Sequence, residues 1–190
     1  MQYNGYVIIS HNNYLAWKNS VINNGYDADG WYGDQCWDLT AEFWHNIGFP
    51  TNYPLTGGDD AKGVWTQRYN NIAYNGTVYF DLITDYTKIK QGDVIVFNEN
   101  IGGGTGHIGF ADEDYNGTMY IRMLGQNQGN GYPYYGGGQY TSLQTYTLAN
   151  FSGAFRYLAW HPTPPHPVTH PKRSKFPWVL YANKIRNRQI

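Results

Sequence analysis

A chain of 190 residues is long enough for one domain with a real core plus an appendage, and short for two domains. With 41% hydrophobic and 18% aromatic residues, 23 Gly and 19 Tyr, it suits a β-rich body with many turns, while its single cysteine excludes an internal disulfide and any zinc site built from several thiolates. The net charge of −1 conceals an asymmetry: all 14 acids fall at or before Asp114, and residues 115–190 carry eight bases, a back end suited to an anionic partner.

The opening M-Q-Y-N-G-Y-V-I-I-S-H-N-N lacks a basic start, and its apolar run is too short for a signal peptide. No apolar run of membrane-spanning length occurs, and neither a membrane span nor a nucleic-acid partner is expected. Residues 12–23 read as a short helix closed by Asn24 and Gly25. From Gln35 to Asn46 the series Cys36, Leu39, Ala41, Phe43, Trp44, Ile47 has helical spacing, with Gly48 as a stop and Pro50 beyond it. That places Cys36 in a first helical turn. Residues 59–70 are expected to form another helix, capped by Asp59 or Asp60.

After residue 77 the pattern changes to strands. Gly92-Asp93 opens V-I-V-F-N, Gly106-His107 opens I-G-F-A, Asn116-Gly117 precedes M-Y-I-R-M-L, and G-A-F-R-Y-L follows at 153–158. Helices first and an antiparallel sheet afterwards make an α+β arrangement. The domain is expected over residues 1–160. Residues 161–171, H-P-T-P-P-H-P-V-T-H-P, hold five prolines and read as a stiff linker, and residues 172–190 form a tail with six bases.

The stretch D-A-D-G-W-Y-G-D-Q-C-W-D at 27–38 sets the lone cysteine among four aspartates, whose charge makes a thiol harder to ionise. A lone cysteine is ordinarily a small buried apolar residue. At a helix start, however, unpaired backbone N–H groups favour the thiolate. His107 opens its strand within G-T-G-H-I-G-F-A, between glycines that let another backbone come close. In L-G-Q-N-Q-G-N-G at 124–131, the Gln126 or Asn127 amide can accept the imidazole Nδ1–H and fix its tautomer. Cysteine, then histidine on a strand, then a polar residue beyond the next strand is the order that thiol hydrolases of papain-like topology need.

These residues carry a resemblance. D-A-D-G-W-Y-G-D-Q-C-W-D-L at 27–39, G-D-V-I-V-F at 92–97 leading to G-H-I-G at 106–109, and Q-N at 126–127 make the chain similar to the CHAP (cysteine, histidine-dependent amidohydrolase/peptidase) family. The resemblance covers roughly residues 5–160 and is strongest to calcium-binding CHAP domains of bacteriophage endolysins. It implies a papain-like α+β fold with N-terminal helices packed on an antiparallel sheet. It implies a hydrolase of bacterial peptidoglycan in which Cys36 attacks an amide carbonyl, His107 moves the proton and Asn127 holds the ring. Endopeptidase action is favoured over N-acetylmuramoyl-L-alanine amidase action. Cys36 N–H and the Gln35 side chain are candidate oxyanion donors.

The resemblance further implies that the D-x-D loop, with the Asp after the cysteine, holds Ca2+. The residues agree on chemical grounds. Asp27, Asp29 and Asp38 stand at relative positions 1, 3 and 12, the Trp31 and Gly33 carbonyls fall at 5 and 7, and hard Ca2+ wants about six to eight oxygens. This is not an EF-hand, because Tyr32 stands where the loop glycine belongs and Asp38 where the terminal Glu belongs. Such a dication would offset the negative field and clamp the loop against the helix bearing Cys36. Asp34 is expected to face solvent. Many relatives carry a glutamate at the position of Gly125, and glycine orients nothing, so the orienting role is expected to rest on Asn127.

The basic tail suits anionic wall polymers. The missing signal peptide suits a phage lysin made in the infected host cytoplasm and released through a holin pore, or one carried on the virion. A non-catalytic wall-binding module, with the cysteine a relic, is the alternative.

Overall fold

The computed structural model describes residues 13–161, apart from residues 32, 59 and 129–139. Helix α1 (Tyr14–Val21) begins where the Asn13 side chain accepts the Ala16 N–H at 3.0 Å, and it buries Tyr14, Trp17 and Val21 at helical spacing. Helix α2 (Cys36–Asn46) buries Leu39, Ala41, Phe43 and Trp44 and stops at Gly48, whose φ of 102° suits glycine. The segment expected as one helix over 59–70 is instead two single turns, α3 (Gly63–Thr66) and α4 (Arg68–Asn71), parted at Gln67 with ψ 14°. Among the described residues no side chain caps α3; the Asp60 carbonyl accepts the Gly63 N–H, and Asp59, the other expected cap, lies outside the described residues.

A small hairpin follows, β1 (Ala73–Tyr74) and β2 (Thr77–Val78), turned by Asn75 and Gly76, both at positive φ as a tight hairpin requires. The main sheet comprises β3 (Phe80–Ile83), β4 (Val94–Phe97), β5 (His107–Ala111), β6 (Tyr120–Gly125), β7 (Ser142–Thr147) and β8 (Phe151–Tyr157). Its order is β3-β8-β4-β5-β6-β7, antiparallel throughout. The molecule is thus α+β, with helices first and the antiparallel sheet after them.

Alternation along the strands gives two cores. Val94, Val96, Ile108, Phe110 and Phe155 meet the helices, where Phe43 lies 5.2 Å from Phe110 and Trp44 stacks on Phe80 at 4.4 Å. Ile95, Phe97, Ala111, Ile121 and Met123 form a second cluster with Leu148 and Ala154. Buried Asp112 ties α1 to the sheet by accepting from Tyr14 Oη (2.9 Å), Lys18 Nζ (2.6 Å) and Arg122 Nε (2.8 Å). Trp160 packs on Phe43 at 4.8 Å, and His161 lies 3.9 Å from Asp93, so the packed body reaches the first residue of the expected linker. The remaining linker and the tail, 162–190, lie outside the described residues.

Candidate active site

The site is assembled where α2 begins, where β5 begins and where β6 ends. Cys36 is the first residue of α2 and is half-buried. Helix α2 packs on β5, and the Cys36 sulfur is met by the Ile108 N–H as well as by its own and the Trp37 N–H. Burial raises the thiol to about 11; the backbone N–H groups oppose this, and the Asp38 charge adds to it.

His107 is the first residue of β5 and is buried. Two glycines admit it as expected: a Cβ at Gly106 would lie 2.6 Å from the Phe97 carbonyl oxygen, and one at Gly109 would lie 2.7 Å from that of Leu124. The imidazole stacks on Tyr146 at 4.8 Å, and burial holds it down at about 4, against an opposing contact with the Gln128 side chain. The Tyr146 phenol is raised by burial and then by the Cys36 charge. His107 Nε2 has no hydrogen-bond partner among the described residues. At rest the pair is therefore a neutral thiol and a neutral imidazole.

The amides beyond β6 take duties different from those expected. Gln126, fully buried, accepts the Tyr26 N–H (3.0 Å) and donates to the carbonyls of Tyr26 (2.6 Å) and Gln35 (3.1 Å). Asn127, at φ 55°, donates its Nδ2–H to Gln35 Oε1 at 2.8 Å instead of reaching the imidazole. The amide beside His107 belongs to Gln128, which sequence reasoning passed over because the stretch reads as an Asn/Gly loop. Tyr146 was missed too, since its strand, S-L-Q-T-Y-T, lacks an apolar run.

Asp27, Asp29 and Asp38 offer oxygens that all lie within 4.8 Å of one another. Asp38 joins the loop to the helix: its Oδ1 accepts from Ala28 N–H (2.9 Å) and its Oδ2 from Gln35 N–H (2.7 Å). Asp27 accepts from Gly30 N–H and Asp29 from Trp31 N–H, both at 2.8 Å and both through Oδ1, which leaves Oδ2 of each for another partner. Burial first, then the charges of Asp29 and Asp27, push Asp38 up to about 7. Three converging carboxylates, one of them buried at this cost, fit a hard dication. The Trp31 side chain is exposed, and its carbonyl and that of Gly33 belong to the same turn. Asp34 is half-buried against Gly25 instead of facing solvent, and burial and the Asp27 charge raise it.

Residues 22–127 match the model of the CHAP domain family. The chain is 34% identical over 146 residues to the D-alanyl-L-alanine endopeptidase of Streptococcus phage B30, covering 75% of this chain and 30% of that protein. It is 30% identical over 115 residues to Endolysin PlyTW of Staphylococcus phage Twort, covering 59% and 23%. The crystal structure of wild-type endolysin LysIME-EF1 superposes with a TM-score of 0.53 at 26% identity, covering 76% of this chain and 62% of that one. This chain thus spans less than a third of the length of either curated relative.

Proposed function

The chain belongs to the CHAP domain family, and from that membership we propose that it is the catalytic part of a phage peptidoglycan hydrolase acting by cysteine nucleophilic catalysis. The observation that carries the reading is that the Cys36 sulfur, at the start of α2, is met by the N–H of Ile108, the residue next to His107 on β5. Cys36 Sγ attacks the carbonyl carbon of a wall-peptide amide while its proton passes to His107 Nδ1, the ring nitrogen that is not buried. His107 returns that proton to the departing amine, and water then hydrolyses the thioester. The developing oxyanion takes hydrogen bonds from the Cys36 backbone N–H and from the Gln35 side chain, which Asn127 holds by its oxygen. The neutral resting pair fits a proton transfer that accompanies attack.

Asp27, Asp29 and Asp38, with the carbonyls of Trp31 and Gly33, would hold Ca2+. Bound there, the ion supplies positive charge that offsets the acids beside Cys36. Asp38 carries the mechanical link, because its two oxygens grip the loop and the helix start.

Endopeptidase action on the wall peptide is favoured over amidase action by the name of the phage B30 relative, a D-alanyl-L-alanine endopeptidase. Mass spectrometry of fragments released from purified walls separates the two. Release through a holin pore or carriage on the virion fits such an enzyme. The test of the chemistry is Cys36→Ala, which is expected to keep the melting temperature within a few degrees and to lose release of new amino groups from walls; retained release overturns the mechanism, and binding without release by the parent chain favours a wall-binding module.

A further inference from the structure

The side chain at position 128 stands where the imidazole needs a partner, and its orientation is fixed by what surrounds it. Gln128 is buried, and its Nε2 donates to the Gly125 carbonyl at 2.9 Å and the Ser142 carbonyl at 2.6 Å. Reversing the amide would point its oxygen at two carbonyl oxygens, so the chemistry of the neighbours assigns nitrogen and oxygen. Oε1 is thereby turned away from them, and it is buried without a hydrogen-bond donor in line among the described residues.

The Gln128 side chain lies against His107, whose own Nε2 is likewise without a partner. The alignment is loose, as catalytic hydrogen bonds in ligand-free sites commonly are. Of the two ring nitrogens Nε2 is the buried one, and only an Nε2–H tautomer removes the conflict between it and the buried amide oxygen.

Gly125 explains why this amide can be there. Its φ is not among the positive ones, so the backbone does not demand glycine. A Cβ at Gly125 would lie 2.8 Å from Gln128 Cδ and 2.9 Å from Oε1. A side chain at 125 and the amide of Gln128 therefore compete for one volume, and the glycine admits the glutamine.

We propose that Gln128 is the positioning residue of His107: its Oε1 accepts the imidazole Nε2–H and so leaves the Nδ1 lone pair for the Cys36 thiol proton. The inference rests on the thiol-hydrolase reading above. It assigns to Gln128 the role that the sequence pattern offered to Asn127, and it leaves Asn127 to hold Gln35.

Two measurements test it. In the Cys36→Ala protein with 15N-labelled histidine, the His107 nitrogens, assigned by their loss in His107→Gln, are expected to show a proton on Nε2; adding Gln128→Ala is expected to populate the Nδ1–H form. A proton on Nδ1 in the parent, or an unchanged tautomer in the variant, overturns the proposal. In the active protein, Gln128→Ala is expected to lower kcat on purified walls by about tenfold or more with little change in KM. Because Gln128→Ala vacates the contested volume, adding Gly125→Glu is expected to recover most of that loss, whereas adding Gly125→Ala is not. Full activity in Gln128→Ala, or equal rescue by Gly125→Ala, sinks the assignment. If the parent cleaves no wall at all, the hydrolase reading fails while the tautomer measurement still decides the role of Gln128.

Discussion

At the scale of single residues, burial sets the protonation states on which the site depends. His107 is held near 4 when folded, against about 6.5 in an unfolded chain. Between those values the unfolded state binds more protons than the folded one, so stability falls as pH is lowered through the window. Relative to His107→Gln, the wild type is expected to lose on the order of 3 kcal/mol between pH 6.5 and 4, read from urea unfolding of both proteins. The Asp38 contribution has the opposite sign in an overlapping range, and it cancels in this difference because both proteins carry it. A constant gap across the window would mean that the imidazole is not buried neutral. Cys36 and His107 were legible as residues because their sequence neighbours announce a helix start and a glycine-flanked strand. Gln128 was not, because a polar amide in a glycine-rich loop has no periodicity, and its role exists only through the space left by Gly125.

At the scale of elements, the loop carrying Asp27 and Asp29 and the helix carrying Cys36 share one clamp in Asp38. A dication held there binds the folded chain alone and stabilises it by mass action. Calcium at about a hundred times its dissociation constant is expected to raise the melting temperature by roughly 5–10 °C, and a chelator to reverse the shift and lower activity. Asp29→Asn keeps an oxygen for the Trp31 N–H and removes one charge. It is expected to match the parent in chelator and to lose most of the calcium shift; an undiminished shift places the ion elsewhere. The strands that sequence revealed, β4, β5, β6 and β8, are those with apolar runs or alternation. Those it missed are short, as β1 and β2 are, or Ser/Thr-rich at the sheet edge, as β7 is. The 59–70 segment has apolar residues enough for a helix, yet the chain breaks at Gln67.

At the scale of the whole molecule, the packed body closes with Trp160 on Phe43 and His161 near Asp93, and the basic residues of 172–190 follow in the sequence. Removing residues 162–190 is expected to leave the melting temperature and its calcium response within a few degrees. It is also expected to weaken adsorption to walls rich in anionic polymer at low salt, with the difference vanishing at high salt. Equal adsorption at low salt removes the tail from the account of wall binding. The α+β class was legible because the hydrophobic pattern changes once, from helical to strand spacing. The order β3-β8-β4-β5-β6-β7 was not, since pairing partners distant in sequence leave no local signature.

The buried Gln126 amide fastens Tyr26 and Gln35 across about a hundred positions of chain, and Tyr146 arrives later still. While the protein is being synthesised, its nucleophile therefore emerges long before anything that could orient or activate it. A cysteine placed this way stays unassisted until the last strands have been added.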